Sequence, residues 1–241
     1  MLIDKPRICA CFMGRVPYGE MLQEQRDIFQ DRVEFKKSGI HSGEDYLFFL
    51  EHTPVITLGK HAHKTNILLS KEDLRERGYD VFEVERGGDV TYHGPGQLVV
   101  YPILDLERYK LGVKSYVSFL EEVVIRTIAE YGIIGERVEG ASGVWIGKGT
   151  DNERKICAVG VKISRYISMH GISLNVTTPL EAFRVINPCG FTDKGVTSIE
   201  AETGLKPSLF EVTRKMQRNF LELLGTEIAG PYCSLARYPQ S

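Results

Sequence analysis

The chain has 241 residues, 42% of them hydrophobic and 26% charged, which is the composition of an ordinary folded globular protein and not of a disordered or fibrous one. Its 30 basic and 32 acidic residues leave a formal net charge of -2, so no positive excess calls for nucleic acid as a partner. No apolar run reaches the roughly 18 residues that span a bilayer. The opening residues 1–6 lack the apolar core of an export signal, and the reading is one soluble domain over 1–241, cytoplasmic and off the membrane.

In chain order, residues 7–13 read as a strand. After Pro17, Leu22, Ile28, Phe29 and Val33 recur at helical spacing. Residues 46–51 and 55–58 are strand-like runs split by Thr53-Pro54, and Ser70 to Asp73 opens a short helix with a capping-box pattern. Residues 81–85 return to extended structure. A glycine-dense loop follows over 86–97, then an apolar run over 98–106 that Pro102 marks as an edge or bulged strand.

Residues 113–131 form the clearest helix, with Tyr116, Leu120, Val124 and Ile128 on one stripe and Gly132 at its end. Strands then recur over 144–146, 155–163 and 167–176, and 179–186, 196–202 and 207–224 read as helices. Hairpin-linked strands and helices in separate blocks favour an α+β fold with a mixed, largely antiparallel sheet and flanking helices over a doubly wound arrangement.

Chemistry concentrates in three segments. The loop Arg86-Gly87-Gly88-Asp89-Val90-Thr91-Tyr92-His93-Gly94-Pro95-Gly96-Gln97 sets polar side chains among glycines that let a backbone approach a ligand, and it matches neither standard nucleotide-binding glycine pattern. Cys189 lies in Asn187-Pro188-Cys189-Gly190, where proline and glycine place a thiol on a turn. The five cysteines, at 9, 11, 157, 189 and 233, are odd in number and scattered, which reads as free thiols in a reducing compartment. A cysteine nucleophile needs a neighbouring positive charge or base. The candidates are Lys155, Lys162, Lys194, His93 and His170, with Lys155 opening an apolar strand-like segment and each histidine equally readable as structural.

Together these segments resemble the lipoyl(octanoyl) transferases, the lipoate-protein ligase B family. The resemblance rests on residues 86–97, Lys155-Ile156-Cys157-Ala158-Val159-Gly160, His170-Gly171-Ile172-Ser173-Leu174-Asn175 and Pro188-Cys189-Gly190, and it covers about residues 45 to 224. Asp89 stands where many members carry Gln. The resemblance implies the biotin/lipoate protein ligase catalytic fold and a dyad in which Cys189 carries the acyl thioester while Lys155 lowers its pKa and moves protons. It implies an acyl pocket lined by Arg86, Gly87, Gly88, Asp89, Val90, Thr91, Tyr92 and His93, by Ala158, Val159 and Gly160, and by Gly171, Ile172 and Ser173.

It further implies octanoyl-acyl carrier protein as donor, and lipoyl domains of 2-oxo acid dehydrogenase E2 subunits and glycine cleavage H protein as acceptors. Neither ATP nor a metal is implied, and no other cofactor. The alternatives are an ATP-dependent lipoate or biotin ligase on the same fold, or a non-catalytic module that binds lipoyl domains or acyl carriers.

Overall fold

The computed structural model describes residues 7–39, 44–187 and 195–228. Its frame is a nine-stranded sheet in the order β12-β1-β2-β6-β10-β9-β8-β7, with β11 added beside β9. The strands are β1 (Arg7–Val16), β2 (Asp45–His52), β6 (Gln97–Ile103), β7 (Glu136–Val138), β8 (Ala141–Ile146), β9 (Arg154–Ser164), β10 (Ile167–Asn175), β11 (Gly195–Val196) and β12 (Glu227–Ile228). From β2 to β7 every neighbouring pair is antiparallel, while β1 runs parallel to both β2 and β12. The parallel β1–β2 step needs a crossover, which α1 (Tyr18–Lys37) supplies.

Both faces of this sheet are covered. Leu47, Phe49, Leu98, Val100, Ile172 and Leu174 pack with α3 (Val113–Ala129) and α5 (Leu209–Leu224). Phe48, Leu50, Val99, Tyr101, Ile103 and Met169 pack with α1. Because successive side chains point to opposite faces, a strand buried on both must be apolar at every position, which is why 47–50 and 98–101 are unbroken apolar runs. On α1, Tyr18, Met21, Leu22, Gln25, Phe29, Arg32 and Val33 are buried at the spacing of one helical face. On α5, the Ser208 hydroxyl accepts from Glu211 N to start the helix, and Gly225 at φ 68° ends it.

A second sheet, β4-β3-β5, is built from β3 (Val55–Leu58), β4 (Asp80–Glu83) and β5 (Val90–His93). Its own small core includes Ile56, Leu74 of α2 (Lys71–Glu76), Val90, Tyr92 and Phe183.

The α+β architecture agrees with the sequence reading, and five local expectations change. The segment read wholly as a loop contains β5, whose alternation is hidden between glycines. Pro102 is not on an edge: β6 is paired on one side with β2, Leu47 opposite Pro102, and on the other with β10, whose ladder stops at Val100 before the proline is reached. Residues 196–202 divide into β11 and the capped helix α4 (Ile199–Thr203), and the helix read at 179–186 is a 3-10 turn over Leu180–Val185. Finally, Cys11 and Cys157 are buried thiols outside any disulfide, whereas Cys9 is disulfide-bonded.

Candidate active site

A cavity lies where the loop before β5 crosses the β9–β10 hairpin on the α1 side of the large sheet. It encloses about 520 Å³ of empty space, its open mouth included. Backbone contact seats the loop: Gly87 N donates to Val161 O at 2.9 Å. A Cβ on Gly160 would stand 3.0 Å from Gly87 O and 3.1 Å from Arg86 Cδ, so β9 must be narrow there. Arg86 is buried, its Nη2 donating to Thr57 O and Oγ1 at 2.8 and 2.9 Å and its Nη1 to Gly87 O at 3.0 Å. Asp89 accepts from Val90 N, His63 N and Asn66 Nδ2, which ties the loop to the turn at 63–66.

Most of the residues singled out in sequence meet at this cavity. Arg86, Gly88, Asp89, Val90, Thr91 and His93 form one wall, Lys155, Ala158, Val159 and Gly160 a second, and Gly171, Ile172 and Ser173 a third. Gly87 serves through its backbone. Tyr92 turns away into the small core, its ring 5.3 Å from Phe183 and 5.9 Å from Tyr79. Cys189 and Lys194 lie outside the described residues. Tyr18, Tyr101, Ser142 and His170 also line the cavity. Tyr18, Tyr101 and Ser142 carry no local motif, since they arrive from α1, β6 and β8 through tertiary packing alone. His170 was legible only as a candidate base.

Lys155 reaches the cavity because β9 contains one extra residue. Val144 pairs with Cys157 and the next residue, Trp145, pairs with Lys155, so Ile156 is a bulge. In a regular strand Lys155 would share the face of Cys157, which is in the α3–α5 core. The bulge turns it to the face of Ala158 and Gly160, which is how bulges re-aim side chains at functional sites. Gly143, at φ 123°, makes room opposite: a Cβ there would sit 2.4 Å from Cys157 O. Lys155 is 7% exposed, and its ammonium lies 4.5 Å from the centre of the Trp145 ring.

The histidines on the cavity side are held neutral. Burial pushes His93 down to about 3, helped by His52, and pushes His170 to about 3 and His52 to about 4. His93 Nδ1 is 2.8 Å from Gln97 Oε1, and because Gln97 Nε2 donates to Tyr92 O and Asn175 Oδ1, that ring nitrogen carries the proton. His52 Nδ1 donates to Val16 O and its Nε2 accepts from the Tyr101 hydroxyl. Burial also raises the Cys157 thiol well above its ordinary value, against the opposing charge of Lys155, so this sulfur is a core side chain and a poor nucleophile. Neutral histidines and apolar residues such as Val159 and Ile172 leave Lys155 as the cation at its end of the cavity, where a developing negative charge would be stabilised.

Residues 26–221 match the family described as lipoyl protein ligase A/B catalytic domain. The chain is 48% identical over 213 residues to an octanoyltransferase of Porphyromonas gingivalis, covering 88% of itself and 43% of that protein. It is 47% identical over 213 residues to an octanoyltransferase of Parabacteroides distasonis, covering 88% of itself and 96% of that protein. In structure it is similar to the bipartite lipoate protein ligase of Thermoplasma acidophilum, with a TM-score of 0.69 at 16% identity over 96% of this chain and 88% of the other, a likeness of fold alone.

Proposed function

We propose, from the premise that the chain belongs to the lipoyl protein ligase A/B catalytic-domain family and within it to the octanoyltransferases, that residues 1–241 form one catalytic domain that transfers octanoyl groups to protein lysines. The donor in this reading is octanoyl-acyl carrier protein. The acceptors are lipoyl domains of 2-oxo acid dehydrogenase E2 subunits and the glycine cleavage H protein, and the reaction takes place in the cytoplasm. No helix among the described residues is long and apolar enough to cross a membrane.

In the first step the Cys189 thiolate attacks the donor carbonyl. The new carbon–sulfur bond forms, the bond to the carrier sulfur breaks, and the carrier thiolate takes a proton from Lys155. In the second step the acceptor amine attacks the Cys189 thioester, its proton passes to Lys155, and the thiolate is restored. Thioester exchange is nearly balanced, and formation of the amide drives the sequence forward. Thr91, His93, Ala158, Gly160, Gly171 and Ser173 bound the space for the acyl chain.

The observation that carries this reading is the bulge that turns a buried Lys155 into the cavity. A further support is the register of the neighbouring strand: Val196 pairs with Lys155 and Thr197 N donates to Lys155 O, and Cys189 stands seven positions before Val196 in the sequence. An ammonium beside a thiol favours the thiolate.

Intact-mass analysis after incubation with octanoyl-acyl carrier protein tests the reading. The expected adduct is one octanoyl group on Cys189, absent in Cys189→Ser. Lys155→Arg keeps a charge but cannot release its proton, so it is expected to retain the low-pH onset of Cys189 alkylation and lose transfer, and Lys155→Ala to lose both. Full transfer by Cys189→Ser would overturn the mechanism, and transfer that requires ATP would replace it with ligation.

A further inference from the structure

We infer that the inner end of the cavity is a polar subsite built on His170, suited to acyl chains that carry a hydroxyl at the far end. The inference rests on the acyl-transfer reading for the carbonyl end of the substrate and on the structure for the tail.

His170 departs from its strand. Along β10, Ile172 and Leu174 point into the α3–α5 core, and regular alternation would send residue 170 with them. Its register partner, Val161, packs against that same core. Instead His170 has φ 62°, and its backbone N–H leaves the ladder to donate to Gln25 Oε1 on α1 at 3.0 Å. The ring lies on the cavity side, 6.5 Å from the Tyr101 ring. Left-handed backbone at a residue other than glycine persists where surrounding structure enforces it, and such residues gather at ligand sites.

What the ring does there is unfinished. At 1% exposure, neither Nδ1 nor Nε2 has a hydrogen-bond partner among the described residues. The amide Nε2 of the fully buried Gln25 beside it also lacks one. His52 and His93, on the same cavity side, both have partners for their rings. A neutral imidazole offers one donor and one acceptor, and a single alcohol can use either. A terminal methyl group uses neither.

Lys155 and Val161 are six residues apart on β9, roughly 20 Å of strand. The Lys155 side chain and an extended eight-carbon acyl chain together cover about 15 Å. With its carbonyl at Lys155, the chain ends about 5 Å short of the level of Val161 and His170, a gap about one side chain long.

The test uses the full-length protein, calorimetric binding of octanoic and 8-hydroxyoctanoic acids, and transfer from the two corresponding carrier thioesters. The wild type is expected to bind the hydroxy acid at least as tightly and to show a kcat/KM for the hydroxy chain within tenfold of that for the plain chain. His170→Leu is expected to lower the hydroxy-to-plain ratio about 10- to 100-fold, the scale on which a site rejects a group it leaves unpaired. His170→Asn, which tolerates left-handed backbone and keeps a donor and an acceptor, is expected to preserve most of the ratio. A wild-type preference of about 100-fold for the plain chain overturns the subsite whether or not the variants fold. So does a ratio unchanged in His170→Leu, or binding of neither acid. If the acids bind with a His170-dependent preference while no octanoyl is transferred, the subsite stands and the transfer reading falls.

Discussion

Two groups of buried polar side chains lie beneath α1, around Asp45 and around His170. The Asp45 carboxylate is fully buried, with Oδ1 accepting from Arg32 Nη2 and Asp105 N, both at 2.9 Å, and Oδ2 accepting from the Tyr109 hydroxyl at 2.7 Å with Arg108 at 3.6 Å. Arg32 also donates to Glu44 O. Both oxygens of that carboxylate meet donors inside the protein. The His170 group is equally dry but leaves two ring nitrogens unmatched in the wall of a cavity. Both groups cost desolvation. One recovers it by internal pairing and holds strand to helix. The other recovers it only when something enters, which is how a binding site differs from a structural polar cluster with the same burial.

Acid should separate the two groups most strongly. His52, His93 and His170 are held at about 4, 3 and 3 in the folded chain against 6.5 for an accessible histidine. As pH falls below 6.5 the unfolded chain takes up protons that the folded chain refuses. Their contribution is therefore complete above 6.5 and lost as pH falls toward 4 and then 3, at about 1.4 kcal/mol per unit per histidine. From pH 7 to pH 5 the three together remove about 5 kcal/mol, measurable as a fall in the urea midpoint. The Asp45 carboxyl runs the other way, because burial raises it despite Arg32, and it favours the folded state as it protonates. A flat profile between pH 7 and 5 would show that the histidines are accessible.

Next in size is Asp45→Ala, which strands the Arg32 guanidinium. The expected loss is about 4 kcal/mol in chemical denaturation. A loss under 1 kcal/mol would place Asp45 with the exposed ion pairs. Gly171→Ala probes the cavity side: the added methyl would stand 2.2 Å from Val100 O and 2.7 Å from Pro102 Cδ, so two strands must part. About 2 kcal/mol of stability should go with it, together with a raised KM for the octanoyl donor. Cys157→Ala should be the mildest, about 1 kcal/mol from a small buried side chain, with transfer largely retained. A folded but inactive Cys157→Ala protein would move the nucleophile from Cys189 to Cys157.

The parts of the fold legible in sequence were those written in local pattern. The α3 stripe of Tyr116, Leu120, Val124 and Ile128 lies in the core as its spacing predicts, and the continuous runs at 47–50 and 98–101 mark strands covered on both faces. Pro102 misled because its effect depends on a neighbour 69 positions away: Gly171 leaves space for the proline ring, so an interior strand tolerates it. At the cavity, glycine-rich motifs identified most of the walls. The orientation of Lys155 was not legible, since a bulge is a relation between two strands and Ile156 looks like any apolar strand residue. Tyr18 and Tyr101 have the same difficulty, being ordinary aromatics until α1 and β6 are brought together.

The pairing of β12 with β1 joins Glu227 to Arg7 and Ile228 to Ile8. During synthesis this has a temporal meaning. At about 5 to 20 residues per second, β12 emerges from the ribosome on the order of 10 to 40 s after β1. For that interval β1 can be completed on the β2 side alone, and its other edge is open to any strand that reaches it. Among the described residues this pairing consists of two residue pairs and is the last of the large sheet to form, so the newborn chain carries an unsealed edge until β12 arrives.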